Sequence, residues 1–597
     1  MCGISSIYRY TCTTKDDVQR IQAMNNSMRY RGPDDEGVWQ DEHYVGGQVR
    51  LSIIGLEKGK QPLFNEDKSL VLICNGEIYN YVELKQQLIA KGHRFMSESD
   101  SETIIHLYED YGVQCLQYLR GMFAFCLYNT KTCEVFAARD RMGEKTLYYA
   151  EIPCGVVFST ELKAILQQYI DQPQLDIRQL VAPIRYTGPI DNENTYVRQI
   201  KRLGNGEYLL VNTQGCRRYR YWDRHLLRNK VLSDISFDEA KKQTETLLRE
   251  SVELCLRSDV PVAVMLSGGI DSSLVAKFAK DSGHEVHTIT AGYKGAYDCD
   301  ERDVAKRFAK EQGFIYHEIE LDENDFRDCF DEFTQYIDEP ITDAAALAQW
   351  ALYKKVRALG FKVLLGGMGG DEIFYGYPYW NYLGESYAMR RKHESLFPIK
   401  QHKAEYIHFL AHNWRKILYA NHPYEINDKS LCYWMRDDYY RFAKDAVCSF
   451  AGETFLLRDV NLNMPFPNVP LGQEIDGIYD FQIDNIMTRA YLYLSDREGM
   501  GNSLEIRSPL LDYKLIEFVS SLPMAVKYKH GVPKYFLKEV LRGIIPDYIL
   551  FARKRGFTPP TPFISDVVNN YQYKFFDASY KFYNSVLADR LCSLLLK

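Results

Sequence analysis

The first 210 residues alternate short apolar runs with turn residues, which is the pattern of a β-rich domain. The runs read VGGQVRLSII, SLVLICNG, MFAFCLYN, EVFAARD, GVVFST and EYLLVNTQG. Glycine, asparagine and charged residues separate them, as turns between strands require. Two stretches with helical spacing, YVELKQQLIAKG and DSETIIHLYEDYG, interrupt the series. We therefore predict a layered α/β sandwich for residues 1–210.

The periodicity changes at Ser236, where SFDEAKKQTETLLRESVELCLRS has apolar residues at helical spacing and an acidic start. The strand-like runs PVAVML, EVHTITAG and KVLLGG follow, with helical segments between them. Such runs are typical of a parallel sheet whose ligands bind at the carboxyl ends of the strands. The polar segment before Ser236 predicts a linker at residues 211–235. A second domain then covers residues 236–597, and its part beyond about residue 376 is predicted to be mostly helical.

Length and composition narrow the class of protein. A chain of 597 residues exceeds the size of a single core, so we expect at least two domains. The hydrophobic fraction of 46% and the charged fraction of 26% indicate a soluble globular protein. The net charge of −7 argues against nucleic acid as the main partner. No apolar window approaches a membrane span, and the fourteen scattered cysteines suggest reduced thiols, so we expect a cytoplasmic protein without a membrane partner.

Cys2 is the first candidate catalytic residue. Removal of Met1 would leave Cys2 with a free α-amine of pKa about 8 beside a thiol of pKa about 8.5, so that one residue offers both base and nucleophile. The motifs RYRGPD, RLSI, NGEIYN and SDSE follow in that order. With them, the N-terminal part resembles the class II glutamine amidotransferases. This resemblance implies the αββα sandwich of the N-terminal nucleophile (Ntn) hydrolases.

The same resemblance assigns roles within this half. Cys2 would attack the side-chain amide of glutamine, while the Asn75 side chain and the Gly76 backbone N–H would hold the oxyanion. The guanidinium of Arg50 would pair with the α-carboxylate of glutamine. The implied glutamine-binding residues are Arg50, Leu51, Ile53, Ile54, Glu77 and Asp100.

A second motif, SGGIDSS at residues 267–273, lies between an apolar strand and a helix. Its glycines and serines at a helix N-terminus predict an anion-binding nest, and it lacks the lysine of a Walker loop. It resembles the loop of ATP pyrophosphatases, which cleave ATP between the α- and β-phosphates. The implied ATP-binding residues are Met265, Leu266, Ser267, Gly268, Gly269, Asp271, Ser272, Ser273, Ala291, Gly366 and Gly367.

Two carboxylates follow successive predicted strands, Asp271 in this motif and Asp371 in GGMGGDE. Both could reach one Mg²⁺ that bridges the phosphates, because hard cations prefer carboxylate oxygens. The sequence therefore predicts ATP as a substrate and Mg²⁺ as its metal ion.

The blocks SDREGMGNSLEIRSPLLD, PKYFLKEVL and KRGF in the last hundred residues complete the series. Together, all these motifs make the chain resemble the glutamine-dependent asparagine synthetase family. The resemblance implies that ammonia passes inside the protein to an acyl-adenylate made from ATP, and it suggests a homodimer. It also implies that Lys534 stabilises charge on the reacting phosphate or acyl group. For Arg497, Glu505 and Arg507 we favour a structural ion-pair network over direct catalysis.

The loop GGMGGDE departs from the family pattern, which has an acidic residue where this chain has Met368. A thioether accepts no proton and binds ammonium or Mg²⁺ weakly. Aspartate is the first predicted acceptor. The alternative is another carboxylate, such as a uronic acid of a surface polysaccharide, for which the aromatic segment YGYPYWNYLGESY would suit a bulkier acceptor. A non-catalytic protein is the third interpretation, and it conflicts with the presence of Cys2, Asn75, Asp271 and Asp371.

Overall fold

A computed structural model describes most of the 597-residue chain. The described residues are 2–186, 188–226, 231–295, 297, 300–377, 441–450, 453–460, 479–480, 482–529, 532–553, 557, 559–581 and 583–595.

Two six-stranded antiparallel sheets form the N-terminal half, in the orders β10-β8-β9-β1-β3-β2 and β12-β11-β7-β6-β5-β4. The strands are β1 Cys2–Arg9, β2 Asp35–Gln40, β3 Tyr44–Arg50, β4 Leu63–Phe64, β5 Leu70–Ile78, β6 Gly121–Asn129, β7 Glu134–Arg139, β8 Tyr148–Ile152, β9 Gly155–Ser159, β10 Lys201–Arg202, β11 Glu207–Asn212 and β12 Gly215–Arg220. The predicted apolar runs therefore correspond to strands. The run VGGQVRLSII is strand only as far as Arg50, after which the chain turns into a loop.

The two sheets face each other, and helices cover their outer faces. Side chains from both sheets share one apolar cluster, which includes Ile4 of β1, Tyr44 of β3 and Ala124 of β6. The helices of this half are α1 Lys15–Ser27, α2 Tyr81–Ala90, α3 Glu102–Tyr111, α4 Leu162–Tyr169 and α5 Ile177–Tyr186. Helices α1 and α4 pack on the first sheet, and α2 and α3 on the second. The predicted αββα sandwich is confirmed.

The second half is built on a five-stranded parallel sheet with the order β15-β14-β13-β16-β19. Its strands are β13 Val262–Met265, β14 His287–Tyr293, β15 Ile315–Leu321, β16 Val363–Leu365 and β19 Glu505–Arg507. The chain adds strands on one side of β13 and then crosses to the other side at β16. Ligands bind at such a switch point, where neighbouring loops leave the sheet in opposite directions.

Helices flank this sheet and fill the C-terminal part. They are α6 Phe237–Cys255, α7 Ile270–Asp281, α8 Arg302–Gln312, α9 Glu323–Tyr336, α10 Ala344–Ala358, α11 Gly370–Ile373, α12 Leu492–Gly501, α13 Tyr513–Ser521, α14 Met524–Lys527, α15 Tyr535–Leu541, α16 Asp547–Leu550, α17 Thr561–Asn570 and α18 Tyr583–Leu595, with a π-helix at Gln482–Tyr491. A small antiparallel sheet joins β17 Val447–Phe450, β18 Glu453–Leu456 and β20 Phe576–Asp577.

The predicted linker at residues 211–235 includes β12, which pairs with β11 at the edge of an N-terminal sheet. The alternating residues of β11 that face this sheet's core fix that pairing. Among the described helices, none is long and apolar enough to cross a membrane. The twelve described cysteines are all free thiols.

Candidate active sites

Cys2 begins β1 and is buried against the second sheet. Its backbone N–H donates to Oδ1 of Asn75 at 3.0 Å, and its carbonyl accepts from Nε of Arg31 at 3.1 Å. Burial raises the pKa of the Cys2 thiol, while the nearby guanidinium of Arg50 and the backbone N–H of Leu51 act in the opposite direction. The residue is therefore fixed on both sides of its Cα, and its sulfur lies beside a positive charge.

The predicted oxyanion donors lie directly across from Cys2 on β5. Nδ2 of Asn75 is buried and has no hydrogen-bond partner within the described part of the chain, although its Oδ1 is used by Cys2. An unpaired buried amide is costly unless a ligand satisfies it. At Gly76 a Cβ would collide with the carbonyl oxygen of Met122, so the close strand β6 requires glycine there. The two donors are adjacent in sequence and both belong to this buried strand.

Arg50 pairs in register with Cys2 at the end of β3. Its guanidinium donates to the carbonyls of Ile54 and Gly55 at 2.8 Å each and to that of Leu56 at 3.5 Å. Its side-chain hydrogen bonds within the described part of the chain go to carbonyl oxygens and not to a carboxylate. Carbonyls orient the charge without neutralising it, so the geometry suits a ligand carboxylate.

Glu77 and Asp100 form a pair of buried acidic residues. Burial is the largest cause that raises the pKa of each carboxyl, and the charge of Glu505 adds to it in both cases. Asp100 accepts from the backbone N–H of Ile78 at 2.6 Å, and Arg507 lies 3.6 Å from Glu77. An ammonium group would relieve the repulsion between these buried carboxylates.

Leu51, Ile53 and Ile54 form the loop that carries these contacts, and all three are buried. A residue of the other half anchors this loop. The N–H of Asp259 donates to Ile53 at 3.0 Å, and its carboxylate accepts from Gly55 at 2.8 Å. No pattern in the sequence indicates this contact, because Asp259 lies in an ordinary polar turn far along the chain.

The loops after β13 and β16 meet at the switch point of the parallel sheet. A cavity of about 190 Å³ opens there. Six of its fifteen lining residues belong to the predicted phosphate loop. Its lining residues are Ser267, Gly268, Gly269, Ile270, Asp271, Ser272, Glu301, Asp371, Gly376, Pro533, Lys534, Lys538, Ile549, Ala552 and Arg553. The two candidate metal ligands and the candidate catalytic lysine therefore share one cavity.

Not all predicted ATP-binding residues line this cavity. Leu266 and Ser273 are fully buried, Met265 is the last residue of β13, and Ala291 lies within β14, two residues before its end. Gly366 follows β16, and at Gly367 a Cβ would come within 2.8 Å of Asp271, so this glycine lets the two loops pack together.

The cavity also has basic residues that sequence reasoning missed. Lys538 lies one helical turn after Lys534, and Arg553 precedes the KRGF block, of which residues 554–556 are outside the described residues. Both side chains suit phosphate charge. The spacing of four residues between Lys534 and Lys538 was the signal that could have identified Lys538.

Lys534 contacts both carboxylates. Its Nζ forms ion pairs with Asp271 and, at 2.9 Å, with Asp371. Burial lowers the pKa of Lys534, but the two carboxylates outweigh it and the net shift is upward. At Gly370 a Cβ would collide with Asp271, and at Gly376 one would collide with Asp371, so glycine is needed for this approach.

Lys534 also has a backbone φ of 54°, in the left-handed region that non-glycine residues rarely occupy. Such strain costs about 1–3 kcal/mol and is concentrated at functional sites. This backbone conformation directs the Lys534 side chain from the start of α15 into the cavity.

A buried ion network joins the two halves behind Cys2. Arg31 donates to Asp496 of α12 at 2.7 Å, and Lys145 contacts the same carboxylate at 3.2 Å. Arg497 pairs with Glu161, which also accepts from Arg31 at 3.4 Å. Arg497 thus forms buried ion pairs, in line with the predicted structural network, with Glu161 of the first half and Asp338 of the second. Arg507 pairs with Glu505 at 2.6 Å, and both side chains are buried.

One apolar cluster extends from the first site to the second. It includes Tyr79 and Met122 beside β5, Met142, and Leu511 of the second half, and Met368 packs against it. A small cavity of about 20 Å³ lies between Tyr79, Met142 and Leu511, among other residues. The side chain of Leu511 in turn contacts the loop that carries Met368, at Gly369. The aromatic segment predicted to suit a bulky acceptor lies outside the described residues from 378 onward.

The two halves match two family models. Residues 1–222 match a glutamine amidotransferase domain, and residues 243–573 match asparagine synthase. The chain is 30% identical over 575 residues to asparagine synthetase [glutamine-hydrolyzing] 1 of Bacillus subtilis, covering 94% of this chain and 87% of that protein.

Two further relatives are similarly distant. A putative asparagine synthetase [glutamine-hydrolyzing] of Mycobacterium tuberculosis is 29% identical over 579 residues, covering 91% of this chain and 84% of that protein. The amidase chry2 of Gibberella zeae is 28% identical over 629 residues, covering 94% and 89%. The similarity to these relatives therefore covers both candidate sites, in the same order along the chain.

Proposed function

Because this chain belongs to the asparagine synthase family and carries an N-terminal glutamine amidotransferase domain, we propose that it is a glutamine-hydrolysing asparagine synthetase. It uses glutamine, ATP and aspartate and releases glutamate, asparagine, AMP and pyrophosphate. The observation that carries the proposal is that two complete candidate sites are joined by one continuous apolar cluster.

At the first site, Cys2 acts as the nucleophile. After removal of Met1, its α-amine takes the thiol proton, the sulfur attacks the side-chain carbonyl of glutamine, and the C–N bond breaks as ammonia leaves with that proton. Water then attacks the resulting thioester, the C–S bond breaks, glutamate leaves and the Cys2 thiol is restored. The unpaired Nδ2 of Asn75 and the N–H of Gly76 support an oxyanion role. Loop carbonyls orient Arg50, which supports binding of the α-carboxylate. The buried acidic pair Glu77 and Asp100 supports binding of the α-ammonium.

At the second site, a carboxylate oxygen of aspartate attacks the α-phosphorus of ATP, and pyrophosphate leaves. Ammonia then attacks the acyl carbon, AMP leaves, and the amide loses a proton. Lys534 stabilises the phosphate charge, and the cavity's position at the helix α7 N-terminus supports phosphate binding there.

Asp271 and Asp371 are the residues that would hold Mg²⁺. Both carboxylates contact the ammonium group of Lys534, and glycines stand where larger side chains would collide with these carboxylates. Two carboxylates that meet at one point suit a hard cation, which prefers oxygen ligands. When bound, Mg²⁺ supplies positive charge to the phosphates.

Ammonia travels between the sites inside the protein. Free ammonia in neutral water becomes ammonium, which lacks the nucleophilic lone pair, so a dry route preserves its reactivity. The apolar cluster containing Met122, Met142 and Leu511 supports such a route, and Met368 lies at its far end.

The acceptor is tested directly. The purified protein is incubated with ATP, Mg²⁺ and glutamine, with and without aspartate, and pyrophosphate and asparagine are measured. Pyrophosphate and asparagine that both depend on aspartate support the proposal. Glutamine hydrolysis without aspartate-dependent pyrophosphate would refute aspartate as the acceptor and point to another carboxylate, such as a uronic acid.

Met368→Glu restores the acidic residue of the family pattern in the same assay. A gain in aspartate turnover shows that the missing carboxylate limits the reaction, whereas no gain shows that Met368 is adequate.

The remaining properties belong to the same proposal. The two functional domains cover residues 1–210 and 236–597, the protein is cytoplasmic, and it assembles as a homodimer as the family resemblance implies. Size-exclusion chromatography with light scattering tests the last point, since a monomeric mass would refute it.

A further inference from the structure

Two histidines and two glutamates meet where the turn after β4, the loop after α2 and helix α3 come together. Ligand atoms of Glu66, His93 and His106 all lie within 4.8 Å of one another. Oε2 of Glu109 lies 2.7 Å from Nδ1 of His106 and 3.4 Å from Nδ1 of His93. In tetrahedral zinc sites the metal–ligand distances are about 2.0–2.2 Å, which places ligand atoms about 3.3 Å apart. Glu66, His93 and His106 therefore lie at or somewhat beyond that spacing, and Glu109 contacts both histidine rings beside them.

A carboxylate holds the ring of His93 through a hydrogen bond, whereas the buried Nε2 of His106 has only a longer contact with Glu102 and no hydrogen-bond partner among the described residues. The far nitrogen of His93, Nε2, lies 3.0 Å from Asp110, and that of His106 lies 3.5 Å from Glu102. Metal-binding histidines commonly donate their second nitrogen to a carboxylate, which fixes the ring and its tautomer. Both Nδ1 atoms are thereby directed to the same point.

The two glutamates are also held through one oxygen each. Oε1 of Glu109 accepts from Asn65 at 2.9 Å, and Oε1 of Glu66 accepts from the backbone N–H of Arg94 at 2.8 Å. Their Oε2 atoms face the histidine rings. Oε2 of Glu109 thus lies beside both Nδ1 atoms, and Oε2 of Glu66 lies 4.0 Å from Nδ1 of His106.

The charges balance for a divalent ion. Two glutamates and two neutral imidazoles would cancel the charge of Zn²⁺, and this ligand set suits zinc because it combines nitrogen and oxygen donors. His106 is fully buried, and His93 is mostly buried. Glu66 and Glu109 are partly exposed, and four protein ligands that fill the coordination positions of the ion are typical of a structural site.

We propose that the N-terminal half holds a structural zinc ion, bound by the side chains of Glu66, His93, His106 and Glu109. The ion links the β4–β5 turn to the loop after α2 and to α3. The site is separate from both active sites, and its ligands come from three segments, so their spacing in the sequence gives no zinc signature.

The test uses the full-length protein without a polyhistidine tag. After dialysis against a chelator, the protein is titrated with Zn²⁺ in competition with a chromophoric chelator, and Co²⁺ is added in a parallel sample. We expect one zinc per chain and the intense visible absorption of four-coordinate Co²⁺. Zinc should also raise the melting temperature of the wild type, because an ion that binds only the folded state stabilises it.

Three variants sharpen the test. Glu66→Gln removes a ligand at the most exposed position and should lower zinc affinity at least about tenfold, and Asp110→Asn should lower it about 10–100-fold by releasing the ring of His93. His284→Gln removes an exposed histidine outside the cluster and should leave binding unchanged.

The competing explanation is that His106 is simply protonated. Burial lowers the pKa of His106, but Glu102 and Glu109 raise it to about 9 overall. In that case the wild type binds no stoichiometric zinc, or Glu66→Gln and Asp110→Asn bind it as the wild type does. Either result overturns the zinc site.

Discussion

The buried ion pair between Arg31 and Asp496 gives the sharpest prediction about how the two halves depend on each other. Asp496→Asn removes a carboxylate that accepts from Arg31 at 2.7 Å and from Lys145 at 3.2 Å. All three side chains are buried. Burial raises the pKa of Asp496, but the charges of Arg31 and Lys145 outweigh this effect and its pKa is lowered.

The size of the effect follows from this burial. Removing one partner of a buried pair costs about 3–5 kcal/mol, because the remaining charge is left uncompensated. Arg31 also donates to the carbonyl of Cys2 at 3.1 Å, and hydrogen bonds from charged groups contribute about 1.5–3 kcal/mol. If Arg31 moves away from Cys2, we expect kcat/KM for glutamine hydrolysis to fall about 10–150-fold.

The assay compares three activities with stability. Glutamine hydrolysis, glutamine-dependent asparagine formation and ammonium-dependent asparagine formation are measured beside the urea midpoint. Asp496→Asn should reduce the first two and lower the midpoint, while the activity with ammonium salts is retained. The matched control is Glu83→Gln, which breaks an exposed ion pair with Arg257 across the same two halves and should cost less than about 1 kcal/mol.

Two results would refute this reasoning. If Asp496→Asn hydrolyses glutamine like the wild type, Arg31 does not position Cys2 through this pair. If glutamine-dependent and ammonium-dependent activities fall by the same factor, the variant has lost general structure, and the specific role of the pair is wrong.

Three further predictions follow from the same geometry. Asn75→Ala should lower kcat for glutamine hydrolysis about 10²–10³-fold with ammonium-dependent synthesis retained, as steady-state kinetics would measure, and an unchanged kcat contradicts the oxyanion role. Lys534→Ala should lower aspartate-dependent pyrophosphate release about 10²-fold without affecting glutamine hydrolysis; equal activity would remove Lys534 from the reaction. Burial and the nearby Asp140 raise the pKa of Glu144 to about 8, so the folded state keeps a proton that the unfolded state loses above about pH 4.5. Glu144 therefore makes the protein less stable as pH rises from about 5 to 8, by about 1.4 kcal/mol per pH unit, and Glu144→Gln should remove this slope from urea midpoints measured across that range.

Local patterns were sufficient for the architecture and for the motifs. Short apolar runs bounded by turn residues identified β5 and β6, and a glycine-rich turn between a strand and a helix identified the loop that carries Asp271. These features are visible because strand pairing and phosphate binding use residues that are adjacent in the chain. The candidate metal ligand Asp371 was found in the same way, from its position after the apolar strand β16.

The contacts between distant residues could not be read in this way. Arg31 and Asp496 are 465 residues apart, and neither lies in a pattern that indicates its partner. The candidate zinc ligands come from three separate segments, and the hydrogen bonds from Arg50 to loop carbonyls depend on where the chain turns after β3. The sequence by itself determined which elements form and which loops hold chemistry, because those depend on near neighbours. Only the tertiary structure decided how the two halves pair their buried charges, because a buried charge is satisfied by whichever partner the packing brings to it.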